Sequence, residues 1–355
     1  MKILHTADWH LGAPLSGHSE QASQYLRQQL QRVPEKIAQI CRQEGCDLML
    51  IAGDLFDGSI GRDAVNQVQQ ILGDLQIPVI ITPGNHDFCS ADSPYFREDW
   101  PENVHIFTRP QMESIVFPGL DCKSYGAGYQ AMDCPSLLKH FRAEGNERWH
   151  IGVLHAEISA SSVYSPITKH QIQESGLDYL ALGHIHKQGS QPAGETVCLW
   201  PGCPMGRGFD ELGVKGVFVV AFDEGIRPTF VPLDTPRFYE EETDAGDDPA
   251  AAVRGIVPAT ESPDFYRIIL TGYSSGVDIA DILSQFPHLP NLILQDQTVP
   301  ETDLWASIGD DTLEGHVFSR LKELSDSDNE TLSRRAALAA RICRKILDGQ
   351  EVKLP

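Results

Sequence analysis

Five times in its first 186 residues, this chain runs through a short, largely apolar stretch that stops abruptly at a cluster of Asp, Asn, His and Gly. Residues 2–6 lead into Ala7-Asp8-Trp9-His10, 47–51 into Ala52-Gly53-Asp54, and 77–81 into Thr82-Pro83-Gly84-Asn85-His86-Asp87. Residues 149–154 then lead into His155, and 178–182 into Gly183-His184-Ile185-His186. Short apolar runs bounded by Gly or Pro read as buried strands. Helical spacing follows the first two runs, with Tyr25, Leu26, Leu30, Val33, Ile37 and Ile40 on one face and Val65, Val68, Ile71, Leu72 and Leu75 on another. Pro34 is expected to kink or break the first helix. Strand and helix in alternation predict a layered α/β fold, in which polar residues just past the strand ends gather along one rim. Residues 104–107, 114–117 and 123–125 predict antiparallel additions to a mixed sheet, and a short helix is expected at 136–142.

The residue types on that rim point to metal binding. Asp8 and His10 are two apart, as are His184 and His186, so each pair projects to one side of an extended segment. Singly these features are weak: an isolated Asp-x-His recurs by accident, a lone histidine after a strand is usually a satisfied core or surface residue, and Gly-Asn-His-Asp makes an ordinary turn. Together, Asp8, His10, Asp54, Asn85, His86, His155, His184 and His186 form one candidate constellation of nitrogen and oxygen donors. The eight cysteines, at 41, 46, 89, 122, 134, 198, 203 and 343, show no CxxC pairing. They read as reduced core or loop residues and not as a zinc site or disulfide framework.

With LHTADWHLG, AGDLFDG, GNHD, a strand-end His155 and GHIH in place, residues 1–235 resemble the calcineurin-like metallophosphoesterases, and most closely the SbcD type of DNA-repair nuclease. The later stretch from Trp200 to Glu211, with Lys215-Gly216, resembles the bacterial YhaO-type branch. The resemblance implies a layered α/β/β/α sandwich with a small C-terminal α/β capping domain, and two divalent metal ions: Mn²⁺, with Fe²⁺ or Zn²⁺ as alternatives. It implies that Asp54 bridges the metals, that Asp8, His10 and His186 complete one site, and that Asn85, His155 and His184 complete the other. His86 is then a catalytic residue facing the scissile phosphate and not a ligand, Asp57 and Asp87 orient these groups from behind, and Arg207 binds substrate. The implied activity is metal-dependent DNA exonuclease, working in repair with an SMC-like ATPase of the SbcC type. The alternatives are a small-molecule or cyclic-nucleotide phosphodiesterase of the same fold and a catalytically silent scaffold. Gly58 after Asp57, and GNHD where protein phosphatases of this fold have GNHE, weigh against a phosphatase.

Charge complicates the nuclease expectation. The formal net charge of the 355 residues is −22, whereas proteins that coat nucleic acid present basic surfaces. Between Glu240 and Glu314 there are 16 acidic residues against Arg254 and Arg267 alone. The sequence divides into a metallophosphoesterase domain at 1–235, an acidic linker at 236–263 rich in Ala, Gly and Pro, and a capping domain at 264–355. That last part is expected to hold strands near 264–270 and 292–295, a helix near 277–285 and a helical tail. In the tail, Leu332, Ala336, Ala339, Ile342 and Ile346 lie roughly on one face, with Arg334, Arg335, Arg341, Arg344 and Lys345 around them. The tail is a candidate contact for the ATPase, and the stripe of Val65, Val68, Ile71 and Leu72 a candidate homodimer face. With no membrane-length apolar run and an N-terminus that enters a strand directly, a cytoplasmic location is expected.

Overall fold

The computed structural model describes residues 1–58, 60–159, 161–274 and 276–349, and it divides at Arg237/Phe238 into two units. The first contains two six-stranded sheets. In one, Lys2–Thr6, Leu48–Ile51, Val79–Ile81 and Val104–Ile106 run parallel in that order, and Gly216–Phe222 and Ile226–Pro232 add antiparallel beyond Lys2–Thr6. In the other, Val197–Trp200, Tyr179–Gly183, Trp149–His155 and Cys122–Gly126 are parallel, with Glu113–Phe117 antiparallel at one edge and Gly189–Ser190 at the other. Of the three strands expected as antiparallel additions, Glu113–Phe117 and Cys122–Gly126 form an antiparallel hairpin across Pro118–Leu120, although Cys122–Gly126 also pairs parallel with Trp149–His155, and Val104–Ile106 simply continues the parallel sheet.

Period-two alternation explains why the two sheets stack. Ile3, Leu48, Leu50 and Ile80 from one sheet meet Ile151, Val153, Tyr179, Ala181 and Leu199 from the other in a single buried cluster. The intervening residues of the second sheet, Leu154, Leu180, Leu182 and Cys198, face the opposite way and pack with Leu137, Leu138 and Ile172, as side chains on a strand must. In the first sheet Leu4, Met49, Ile51, Val79 and Ile81 are equally buried, and the crossover helices Glu20–Glu44 and Arg62–Gly73 each carry a buried apolar stripe. The layered α/β/β/α architecture follows.

Several local expectations are corrected. Helix Glu20–Glu44 is not broken at Pro34: the hydrogen bond that Pro34 cannot donate is outweighed by burial of Leu26, Leu30, Val33 and Ile37. Residues 137–140 form a turn, not a helix, although Leu137 and Leu138 are buried there. The helix in that part of the chain is Lys169–Ser175, started by a capping box in which Thr168 and Gln171 satisfy each other's backbone. Val65, Val68, Ile71 and Leu72 are all buried within the one chain, so this stripe offers no face to a second copy.

The second unit, described by itself, is built on a parallel sheet of Phe238–Asp244, Phe265–Thr271 and Leu292–Asp296. The segment expected to be an acidic linker is therefore structured. Phe238 stacks on Phe265 and Tyr239 on Tyr266, while Glu240 to Glu242 occupy an edge strand, where charge discourages further pairing. Pro249–Arg254, capped by Asp248, adds Ala250 and Val253 to the core around Ile268, Leu270, Ile282 and Phe286. Helices Leu313–Ser325 and Glu330–Leu347 enclose a small cluster of Leu304, Phe318 and Ala340. The tail buries Ala336, Ala340 and Arg341, while Leu332 and Ile346 stay exposed, so its inward face is offset from the expected stripe. The last residues of the tail, 350–355, lie outside the described residues. No helix among the described residues is long and apolar enough to cross a membrane.

Candidate metal centre

All five apolar strands deliver their polar ends to one place, and the backbone there is held in conformations that side chains normally avoid. Asp8 (φ 54°), His10 (φ 49°), Asp54 (φ 50°) and His184 (φ 87°) occupy the left-handed region, at a cost on the order of 1–3 kcal/mol each for non-glycine residues. Neighbouring loops hold them there. Asp8 and His10 donate backbone N–H groups to the carbonyls of Gly53 and Asp54 at 3.0 and 2.9 Å, and the His184 N–H donates to Asp8 Oδ1 at 2.9 Å. Two glycines permit the approach: a Cβ at Gly84 would lie 2.2 Å from Asp54 Oδ1, and one at Gly183 would lie 1.8 Å from the Ala52 carbonyl oxygen.

The donor atoms converge in overlapping groups that share Asp8, His10 and Asp54. Nε2 of His10 and Nε2 of His186 face each other at 3.0 Å. Asp8, His10 and His186 offer ligand atoms all within 4.8 Å of one another, and so do Asp8, Asp54 and His155. Asp54 Oδ2 lies 3.7 Å from His10 Nε2 and 3.3 Å from His155 Nε2. Asn85 Oδ1 lies 2.9 Å from His155 Nε2 and 3.2 Å from His184 Nδ1. Buried Asp8 Oδ2 makes no hydrogen bond within the described residues, which is costly for a carboxylate unless a cation satisfies it. These Asp and His side chains are therefore positioned to bind metal ions, and an all nitrogen and oxygen donor set suits first-row divalent metals. His86 also falls in a metal-competent triplet with His10 and Asp54.

Charge is as closely arranged as geometry. Burial alone would raise the Asp54 carboxyl, but His155, by charge and hydrogen bond, and the charge of His10 hold it below its usual range. Reciprocally, burial disfavours a charged His155, and Asp54 overrides this to push it up to about 9. His10 is lowered mainly by burial, and His184 falls to about 4 through burial and then the charge of His155. Burial thus favours the neutral imidazole, the form that ligates metal, at His10 and His184.

Behind the donors stands a connected set of supports. Asp57 lies 3.2 Å from Nδ1 of His10 and 3.2 Å from Nδ1 of His86; these hydrogen bonds hold its carboxyl low, and the one to Asp57 raises His86. The His86 N–H donates to Asp54 Oδ1 at 2.9 Å, and its side chain is 40% exposed. Asp87 accepts from the N–H groups of Leu55, Phe56 and Gly84 and from the Tyr95 hydroxyl at 2.5 Å. It thus ties the Asp54 loop to the Asn85-His86 turn, with burial and then the Asp54 charge lifting it to about 6. Arg207 is engaged with carboxylates: it donates to Glu211 through Nη2 at 2.6 Å and Nε at 3.2 Å, and Nη1 stands 3.7 Å from Asp57. Glu211, only 2.7 Å from Nδ1 of His186, has no role in the sequence reading. Its one signal is its place four residues after Arg207 in a glycine-rich loop.

Comparison with known proteins gives this arrangement a relationship. A family model described as calcineurin-like phosphoesterase matches residues 1–188, a span holding every donor named above. A relative from Bacillus subtilis strain 168, the uncharacterised metallophosphoesterase YhaO, is 32% identical over 239 residues, covering 63% of this chain and 58% of that protein. The match therefore spans less than two-thirds of the relative's length. Among solved structures, a dimetal phosphatase from Danio rerio aligns at 11% identity and a TM-score of 0.42, covering 66% of this chain and 99% of that one. The protein TT1561 of Thermus thermophilus aligns at 13% identity and a TM-score of 0.39, covering 64% and 98%. Since the family match takes in more than half of the chain and the whole donor constellation, this protein belongs to the calcineurin-like phosphoesterases.

Proposed function

We propose that this chain hydrolyses phosphodiester bonds in DNA, as a metal-dependent exonuclease of the SbcD type. The observation that carries the proposal is Asp54, whose Oδ2 lies within 3.7 Å of His10 Nε2 and 3.3 Å of His155 Nε2, with exposed His86 hydrogen-bonded to Asp54 through its backbone N–H. In this reading Asp8, His10 and His186 hold one divalent ion, Asn85, His155 and His184 hold the other, and Asp54 joins both. Two such ions, here Mn²⁺ with Fe²⁺ or Zn²⁺ as alternatives, would withdraw charge from the phosphate and acidify the attacking water.

The protein's own part is orientation and proton delivery. Asp57 accepts a hydrogen bond from Nδ1 of His86 and favours the charged imidazole, which would leave the Nε2 proton for the leaving oxygen. A cavity of about 880 Å³ opens beside His86, lined in part by Phe56, Phe88, Arg62 and Arg97, with room for a nucleotide-sized leaving group. The preference for DNA rests on the resemblance of the DWHLG and PGxPxGR contexts to the SbcD and YhaO types. The net charge of −22 favours a second reading, a small phosphodiester substrate. With DNA as substrate, that charge requires basic surface from elsewhere, and the resemblance to the SbcD type suggests an SMC-like, SbcC-type ATPase as the partner that supplies it.

End-labelled single- and double-stranded DNA, bis-p-nitrophenyl phosphate and a phosphomonoester, each with Mn²⁺ or chelator, test the proposal. Chelator-sensitive shortening of DNA from an end, with little monoester turnover, is the expected result. Turnover of the small diester with intact DNA would move the assignment to the second reading.

A further inference from the structure

His186 is held from behind by a carboxylate that an arginine in turn grips. Nδ1 of His155 meets the Ala52 carbonyl oxygen at 3.0 Å, and Nδ1 of His10 meets Asp57 at 3.2 Å. Nδ1 of His186 instead lies 2.7 Å from Oε1 of Glu211, 25 residues further along the chain. Glu211 is 5% exposed, and Arg207 occupies the rest of its carboxylate. The Arg207 N–H donates to Oε2 at 2.8 Å, Nε donates to Oε2 at 3.2 Å, and Nη2 donates to Oε1 at 2.6 Å.

This geometry decides a tautomer. Nη2 of Arg207 also lies 3.1 Å from His186 Nδ1, so that nitrogen has a donor and an acceptor beside it. Arginine stays protonated and Glu211 is its ion-pair partner, so a bare Nδ1 would face a carboxylate oxygen at 2.7 Å with no proton between them. The proton therefore resides on Nδ1, and the Nε2 lone pair points toward His10 Nε2, 3.0 Å away, where Asp8 and His10 also converge. A carboxylate accepting from the far nitrogen of a ligating imidazole fixes its ring and raises its basicity. Through Nη1, Arg207 reaches Asp57, which supports His10 and His86. The chain of contacts from His86 through Asp57, Arg207 and Glu211 to His186 and back to His10 is closed.

We infer that Glu211 is a positioning residue for the metal site of Asp8, His10 and His186, and that Arg207 locks Glu211 in place and couples it to Asp57. This rests on the two-metal reading of the site. The test is a titration of the purified full-length chain with Mn²⁺, followed by calorimetry and by the electron paramagnetic resonance of free Mn²⁺. Wild type is compared with Glu211→Gln, which keeps the size of the side chain, and with Arg207→Lys, which keeps its charge but removes the fork. Glu211→Gln is expected to weaken one of two sites by about 10- to 100-fold and leave the other unchanged. The Mn²⁺ concentration for half-maximal turnover should rise in proportion, with kcat at saturating metal changing far less. Arg207→Lys should weaken the same site by a smaller factor, and it carries the test if Glu211→Gln does not fold. Wild-type affinity at both sites in a folded variant, or equal loss at both, would overturn the role of Glu211. A wild-type protein that binds fewer than two ions would overturn the two-metal reading first, before Glu211 is reached.

Discussion

His86 is the residue at which ligation and catalysis must be told apart. It sits within ligand reach of His10 and Asp54, yet its Nδ1 is engaged by Asp57 and its side chain is the most exposed of the five site imidazoles. If it is the proton donor, His86→Ala retains both metal equivalents and loses DNA cleavage by roughly two to four orders of magnitude; loss of one equivalent would make it a ligand. The Asp57 contact gives the pH dependence a sign. Because that hydrogen bond raises the His86 pKa, Asp57→Asn should lower it, and the alkaline limb of the rate profile should move to lower pH. An unmoved limb would separate His86 from the proton transfer. The polar residues that cluster here are legible in sequence because each lies just past an apolar run. Glu211 is not, because it lies in a glycine-rich loop with no such run before it, and only the fold brings it to His186.

Strands were read best where burial on both faces leaves no doubt, as at Leu48–Ile51, Val79–Ile81 and Tyr179–Gly183, which are buried throughout. Pairing direction was read only in part, since nothing in residues 104–125 states which neighbour each strand will meet. The acidic segment misled for a related reason. Charge on an edge strand and charge in a linker look alike, and only the ring stacking of Phe238 and Tyr239 distinguishes them. Close packing of strand ends supplies a prediction at this scale. Gly183→Ala would place a methyl group 1.8 Å from a backbone oxygen of Ala52, a contact that no rotamer change can relieve. Overpacking of this kind costs about 1–3 kcal/mol or more, so thermal unfolding should shift clearly downward. An unchanged midpoint would show that the two strand ends are not so tightly apposed.

Across the whole chain, the division at Arg237/Phe238 separates a unit that holds every candidate catalytic group from one whose tail is tied to its own core. Arg334 pairs with Glu330, Arg341 with Asp247, Arg344 with Glu314 and Lys345 with Asp244, so four of the five cations that made the tail a docking candidate already have carboxylate partners. Deleting residues 329–355 should therefore destabilise the second unit. Unchanged melting of the truncated chain, together with loss of binding to an SbcC-type ATPase, would instead restore the tail as a docking element. The central claim is that Asp54 joins two metal sites into one phosphodiesterase centre, and it is tested most directly by metal content measured alongside turnover in Asp54→Ala. Two divalent ions per wild-type chain are predicted, with reduced metal content and abolished hydrolysis in the variant; a variant that hydrolyses DNA at the wild-type rate with Mn²⁺ would contradict it.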